Sequence, residues 1–517
     1  MADAMLSSGL AAPGGPWEGA IMHIEECIVP RGARDPVTHV LQPNATRWPN
    51  GLASLAEYFH SKNLRAGVYT DVAAVTCAGF EGSGPGSGDP VGHWPLDAQT
   101  FAEWGFDMIE ADFCNAEGDT QTLYTNARDA IAAATAATGR RMTYYVCSWG
   151  DSATWQWSGA VANLARNTGD ICSPGSIAFE DILANFGNTI ANSGTPGQAP
   201  GLPGTGVGAW NDPDALGVGL PGITDVEGRT QFSLWVVLGA PLILSADVRN
   251  MSAATFATVS NAEAVAINQQ STPQGVRVFS PSGPPPAPSP PYICFANISY
   301  CRDFGTSWAL NSTTGQLALL QGPNWMVPTG LCAAPAGCSD AVGTPVLVAE
   351  CASPSGTCAA PGWRINSTNG NVTFRNACLI GVDPATSPAN QLVLGACDGS
   401  AGAAGVWSLE YTGRLGLAPG TFGEKHPCVG ALAPQDLDMF MRMMENGDVA
   451  LALLNRGRSA VGAQSIDLAA LGYAPAQRVY VRDVWAATTL GPVSGAFATR
   501  PIDSHETILM RLSLSPI

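Results

Sequence analysis

Residues 97–115 read DAQTFAEWGFDMIEADFCN. A helix-like stretch, DAQTFAEWG, leads into the apolar run Phe106-Asp107-Met108-Ile109, and that run ends on Glu110, Asp112 and Cys114. An ionised side chain gains nothing inside a buried strand, whereas the C-terminal end of a parallel strand is where (β/α) barrels carry their reactive groups. The placement predicts a chemical role for a carboxylate here. A second unusual carboxylate, Asp170, follows in ARNTGDI at 165–171, and the two suggest a pair.

The surrounding chain repeats the same strand-then-helix pattern. Strand candidates are AIMHIEEC at 20–27, LRAGVYTDV at 64–72, FDMIEADF at 106–113, MTYYVCSW at 142–149, GDIC at 169–172, GVGAWND at 206–212 and APLILSAD at 240–247. Between them lie the helix-like segments NGLASLAEYFHSKN, DAQTFAEWG, LYTNARDAIAAATAATG and GRTQFSLWVVLG. Alternation of this length predicts an α/β fold with a (β/α) barrel. An open doubly wound sheet would usually show a glycine-rich phosphate turn after its first strand, and none is present.

With GVYTDVAAVTCAGFEGS at 67–83 and GAWNDPDALGVG at 208–219, the sequence resembles the melibiase-type α-galactosidases and α-N-acetylgalactosaminidases of glycoside hydrolase family 27. The resemblance covers most of 1–273 and resumes near 435. It implies a TIM (β/α)8-type barrel. In the family a strand with a Gly-Trp-Asn-Ser-Trp-like motif precedes the first helix; here Met1 opens ADAMLSSGLAAPG, which reads as a helix without a secretion signal. The expectation is an N-terminally incomplete chain whose barrel lacks its first strand.

Residue by residue, the resemblance implies that Asp112 is a nucleophile and Asp170 an acid/base. This pair is the minimum apparatus for hydrolysing a glycoside with retention. Arg166 matches an arginine that contacts the sugar and the acid/base region, and Trp149 a tryptophan that packs on the sugar. Asp71 and Asp212 match carboxylates near the pocket floor, which could equally satisfy backbone donors. Cys77 and Cys114 match a disulfide bracing the nucleophile, and the partner of Cys27 is missing, so an unpaired thiol is expected there.

Four positions depart from the galactosidase pattern. Glu25 and Glu26 stand where the family has two aspartates that bind galactose hydroxyls, and each is one methylene longer. The extra reach intrudes where a hexose hydroxymethyl would lie, which makes a pentopyranose such as β-L-arabinopyranose a candidate substrate. Glu110 replaces a lysine, a charge reversal that should raise the pKa of Asp112 unless Glu110 is protonated or turned away. Ser148 replaces a glutamate, as in α-N-acetylgalactosaminidases.

Composition bounds the rest. A net charge of −18 and a pI near 4.6 exclude a polyanion partner such as nucleic acid. No run of about 18 apolar residues is present to span a membrane. Five of the 14 cysteines fall before residue 273 and nine between Cys294 and Cys428, without the C-x-x-C and histidine pattern of a zinc site. With N-x-S/T sequons at Asn44, Asn250, Asn297, Asn311, Asn366 and Asn371, they point to an oxidising setting: secreted, or vacuolar or lysosomal.

The barrel is expected over 1–273 and the first strand of a C-terminal antiparallel β-sandwich over 274–279. SPSGPPPAPSPP forms a stiff linker at 280–291. Residues 292–432 then carry an internal repeat: SWALNSTTGQLAL from Ser307 is echoed by GWRINSTNGNVTF from Gly362, and Trp308, Trp363 and Trp407 mark three units. This insertion resembles a ricin-type β-trefoil lectin module. Residues 433–517, with VALALLNRGRSA and ETILMRLSL, alternate as half-buried antiparallel strands do and complete the sandwich.

The expected activity is that of a retaining exo-glycosidase on terminal α-D-galactosyl residues, needing no cofactor and no metal. A β-L-arabinopyranosidase, an α-N-acetylgalactosaminidase or a catalytically weakened carbohydrate-binding protein are the alternatives. The partners are galactose-containing or related glycans, and a dimer is one expectation for an oligomeric state that the sequence leaves open.

Overall fold

A computed structural model of the chain describes residues 1–86, 92–171, 177–193, 209–272, 275–279 and 437–517. Between the last two it describes 292–294, 307–311, 316–321, 327–350, 358, 362–365, 372–381, 392–395, 407–409, 415–417 and 428–430. The proline-rich 280–291 and the sequons at Asn297, Asn366 and Asn371 lie outside the described residues. Two compact units emerge, Met1–Val278 with Met439–Ile517, and Phe279–Asp438.

Among its described residues the first unit holds six parallel strands hydrogen-bonded in chain order: β1 (Ile21–Ile24), β2 (Arg65–Asp71), β3 (Met108–Asp112), β4 (Thr143–Cys147), β5 (Leu164–Arg166) and β6 (Trp210–Asp212). Helices α1 (Ala2–Ser7), α2 (Gly51–His60), α3 (Trp94–Glu103), α4 (Thr120–Thr138), α5 (Phe179–Ser193) and α6 (Asp225–Leu238) are interleaved with them, and α7 (Ala253–Val259) and α8 (Ala262–Asn268) follow. This is a TIM-like barrel sheet. Two expectations need correction. The fifth strand is Leu164–Arg166 rather than GDIC, so Asp170 sits in the loop beyond the strand end. APLILSAD forms no full strand; it contributes a parallel bridge, Leu216 to Leu244, closed by Leu216 N–H donating to Ile243 O at 2.7 Å.

Strand alternation explains why the barrel interior is polar. Val68, Ile109, Ala111, Tyr144, Val146 and Ala165 belong to the apolar cluster packed under the helices. Their neighbours, Tyr69, Asp71, Glu110, Asp112, Tyr145, Cys147 and Arg166, therefore project to the other face. The parallel register aligns Asp71 with Asp112, Cys147 with Arg166, and Arg166 with Asp212, so five ionisable side chains share one layer at the C-terminal strand ends.

Helix α6 is buried on every side, through Phe232, Leu234, Trp235, Val236, Val237 and Leu238. A helix buried all round needs cover on both faces. The barrel supplies one, and an antiparallel sheet of six strands supplies the other, in the order Thr488–Val493, Val479–Asp483, Thr507–Ser513, Val449–Asn455, Leu437–Met443 and Val276–Phe279. Thr224 and Glu227 form a capping box at the start of α6.

Arg442 ties this sheet to the barrel. It is 2% exposed, and its guanidinium donates to four carbonyls: Ile267 at 3.1 Å, Asn268 at 2.8 Å, Gln270 at 2.7 Å and Thr272 at 3.0 Å. The charge thus caps the C-terminal end of α8. Gly239, at φ 73°, leaves the space, since a Cβ there would lie 2.5 Å from Arg442 Cζ. Replacing the arginine strands those carbonyls in the interior. Arg442→Met is expected to destabilise this unit by about 3 kcal/mol, visible as a lowered thermal midpoint; an unchanged midpoint would contradict the role.

Among its described residues the second unit holds three antiparallel sheets of four strands each. Trp308, Trp363 and Trp407 each fall on the leading strand of one sheet, Ser307–Asn311, Trp363–Ile365 and Trp407–Leu409. The third sheet is completed by Tyr292–Cys294 from the start of the module, pairing with Cys428–Gly430. Cys338 is bonded to Cys358.

Candidate active site

Asp112 ends β3 and is 8% exposed. Its Oδ2 accepts from Tyr69 Oη at 2.9 Å, and its Oδ1 from its neighbour Phe113 N at 2.9 Å. Cys77 and Cys114 are joined in a disulfide, and the Cys77 sulfur packs 3.1 Å from Asp112 Oδ2. Burial raises the Asp112 carboxyl above the usual range, opposed by the Phe113 amide, the Tyr69 hydroxyl, Cys147 and the charge of Arg166. Burial, rather than Glu110, dominates that shift.

Arg166 ends β5 with only 11% of its side chain exposed. Its Nη2 lies 2.5 Å from Asp170 Oδ1 and 3.1 Å from Asp214 Oδ2. Asp170 is 58% exposed, on the open side of the guanidinium. A cleft of about 200 Å³ is lined by Arg166, Asp170, Ile171, Asp214, Leu216 and Ser245, among others.

The other predicted residues divide. Asp71 is fully buried and spends both oxygens on backbone donors, Ala73 N at 2.7 Å and Cys114 N at 3.0 Å. Glu26 accepts from Thr76 Oγ1 at 2.7 Å and Ala78 N at 3.0 Å, which braces the loop after β2. Ser148 is fully buried and bonded to Thr154 Oγ1. Asp212 accepts from the Tyr145 hydroxyl and from Asp214 N at 2.9 Å. Trp149 stays 38% exposed, at φ 53°, its ring edge-on to Phe113. Glu25 is 64% exposed at the rim. Cys27 is free, as is the buried Cys147.

Glu110 is turned inward beside His23, with Nε2 to Oε2 at 3.0 Å. Burial, reinforced by Asp112, pushes its carboxyl up to about 8, so at acidic pH it carries a proton and the charge reversal beside Asp112 is muted. Burial likewise pushes Asp71 up to about 8 and Asp212 to about 7. Between about pH 5 and 8 the folded chain therefore holds protons that the unfolded chain has released. Stability is full below the unfolded carboxyl values near 4 and declines as pH rises through the folded ones, by about 1.4 kcal/mol per pH unit for each extra proton. The thermal midpoint should be higher at pH 5 than at pH 8.5, and Glu110→Gln should shrink the difference. A midpoint that rises with pH would refute this ordering.

Sequence reading missed Tyr69, His23 and Asp214. Tyr69 and His23 lie two residues before Asp71 and Glu25, so strand alternation gave a signal. Asp214 follows Asp212 in NDPD and sits at φ 93°, a backbone region costly for a residue with a side chain. It is held there by Arg166 and by Ile171 N at 2.7 Å. Among the described residues, two groups place metal-ligating atoms close together, His23 with Glu25 and Glu110, and Asp71 with Cys77 and Cys114. The second has its sulfurs committed to the disulfide.

Residues 1–270 match the family model described as alpha galactosidase A, and residues 434–512 the model of the alpha galactosidase C-terminal β-sandwich domain. The chain belongs to the α-galactosidase A family, within glycoside hydrolase family 27. It is 37% identical over 273 residues to an α-galactosidase A of Cellvibrio japonicus, covering 52% of this chain and 62% of that one. An α-galactosidase of Oryza sativa subsp. japonica is 34% identical over 284 residues, covering 54% and 61%. The chain thus spans about six tenths of the length of these curated relatives. Among solved structures, α-galactosidase I from Mortierella vinacea shares the fold with a TM-score of 0.59 at 18% identity, covering 99% of this chain and 90% of that one. A β-L-arabinopyranosidase from Geobacillus stearothermophilus superposes with a TM-score of 0.55 at 14% identity, covering 99% and 92%.

Proposed function

We propose that this family member is a retaining glycoside hydrolase that releases terminal α-D-galactosyl residues from oligosaccharides or glycoconjugates. The observation that carries the reading is the layer at the strand ends: a buried carboxylate, Asp112, held by Tyr69 and Phe113, with an exposed carboxylate, Asp170, carried by the buried cation Arg166. In this reading an oxygen of Asp112 attacks the anomeric carbon while Asp170 protonates the departing glycosidic oxygen. A covalent glycosyl ester forms. Asp170, now ionised, takes a proton from water, which attacks the anomeric carbon and frees Asp112. Two inversions leave the configuration retained.

The sugar-reading shell supports a second reading of shifted specificity. Glu25 at the rim and Glu110 with His23 replace what would otherwise bind a hexose, and a pentopyranose of galactose configuration needs less room there. The three-unit module is proposed to hold a glycan near the enzyme, and an oxidising compartment, secreted or vacuolar, fits the Cys77–Cys114 bridge.

Nitrophenyl α-D-galactoside, α-N-acetylgalactosaminide and β-L-arabinopyranoside decide between these. The galactoside is expected to have the highest kcat/KM. A preference for the arabinopyranoside would establish the second reading, and sugar binding without turnover of any of the three would overturn both.

A further inference from the structure

The sequon Asn250-Met251-Ser252 is a motif that the proposed hydrolysis does not use. Two sequons fall before residue 273, this one and Asn44-Ala45-Thr46, and the fold treats them differently. Asn44 is half-buried and spent on its own loop: its Oδ1 accepts from Thr46 N at 3.0 Å and from Arg47 N at 3.2 Å. Asn250 is exposed, and its side chain has no hydrogen-bond partner among the described residues.

The chain around Asn250 explains why it points outward. Val248 and Met251 pack against the apolar cluster, which leaves Arg249 and Asn250 between them on the surface. The turn that carries them is fixed. Asn250 N donates to Asp247 O at 3.0 Å, and Arg249 is paired with Asp247 through Nε at 2.9 Å and Nη2 at 2.7 Å. Ser252 then caps α7, accepting from Thr255 N at 3.0 Å, and Ala253 and Ala254 beyond it are exposed as well. A bulky group on Asn250 Nδ2 therefore breaks no side-chain hydrogen bond and meets open surface. The parallel bridge from Leu216 to Leu244 brings the chain to the C-terminal face of the barrel, where Ser245 lines the cleft, and Asn250 follows in the same connection to α7.

We propose that Asn250 is the acceptor of an N-linked oligosaccharide, carried on the connection that leaves the barrel mouth. Its Nδ2 attacks the anomeric carbon of a lipid-pyrophosphate-linked oligosaccharide. A C–N bond forms, the C–O bond to the pyrophosphate breaks, the lipid pyrophosphate departs with the electron pair, and the amide gives up one proton. Ser252 supplies the hydroxyl that the sequon requires two residues on. The proposal rests on the secretory setting proposed above and is independent of the hydrolysis.

The test secretes the full chain from yeast behind a cleavable leader. Peptides are mapped by mass spectrometry after peptide N-glycosidase treatment in heavy-oxygen water, which turns a glycosylated asparagine into labelled aspartate. Label is expected at Asn250 in most of the secreted chain. Asn250→Gln should lose it, together with the mass of one oligosaccharide, whereas Ser252→Thr, which keeps both the sequon and the helix cap, should retain it. Where export is poor, the chain translated into microsomes gives the same reading. An unmodified Asn250 in the parent by either route, or a glycan mass unchanged in Asn250→Gln, would overturn the assignment. The leader fixes the compartment and no glycoside is assayed, so this outcome is separate from that of the substrate panel.

Discussion

Asp112→Asn is expected to lower turnover of nitrophenyl α-D-galactoside by about ten-thousandfold, because an amide cannot form the glycosyl ester on which the retaining route depends. Asparagine has the shape of aspartate and keeps an acceptor for Tyr69 or for the Phe113 amide. A buried carboxyl whose ionisation burial opposes is thereby replaced by a neutral group, so the fold should survive with an unchanged or higher thermal midpoint. Asp170→Asn should behave differently. In the proposed route its role is proton transfer, and a dinitrophenyl leaving group departs without a proton, so the first step should be spared while hydrolysis of the ester slows and product appears as a burst. With an oligosaccharide, whose leaving oxygen needs the proton, the loss should approach about a thousandfold. Equal losses for both variants on both leaving groups would overturn the assignment of roles.

Much of this site was legible because strand position and side-chain chemistry are both local. The run ending at Asp112 announces a strand, and its polar end announces a layer at the barrel mouth. Less legible was β5. Three residues, Leu164–Arg166, give no periodicity, and the neighbouring GDIC looked the better strand while in fact carrying Asp170 out into the loop. Asp71 and Glu26 show a different limit. A carboxylate that meets a sugar and one that meets a backbone amide are the same letter, and only the fold reveals that both are committed to loop amides and Thr76. Glu110 read as a charge reversal unless it is protonated or turned away. Burial supplies that protonation, and the fold sets Glu110 beside His23, a contact far apart in sequence and invisible to spacing.

Arg166→Ala should produce the next largest loss, about a thousandfold in kcat/KM with the galactoside. The reason is electrostatic. Arg166 is the cation that lowers the carboxyls of Asp112, Glu110, Asp212 and Asp214 against the burial that raises them, and it bonds to Asp170 directly. Removing it leaves these carboxyls to raise one another. As the proposed nucleophile Asp112 must be ionised, so the rate falls as pH drops through its value, and a higher value moves that acid limb upward, by about one pH unit or more. A purely structural arginine would lower activity at every pH without moving the limb. Arg166→Lys separates the two effects further: an ammonium restores a point charge but does not reproduce the fork that reaches both Asp170 and Asp214. It should return the acid limb toward its original position while recovering only part of the rate. An acid limb that stays in place in Arg166→Ala would show that the charge of this arginine does not govern the ionisation of Asp112.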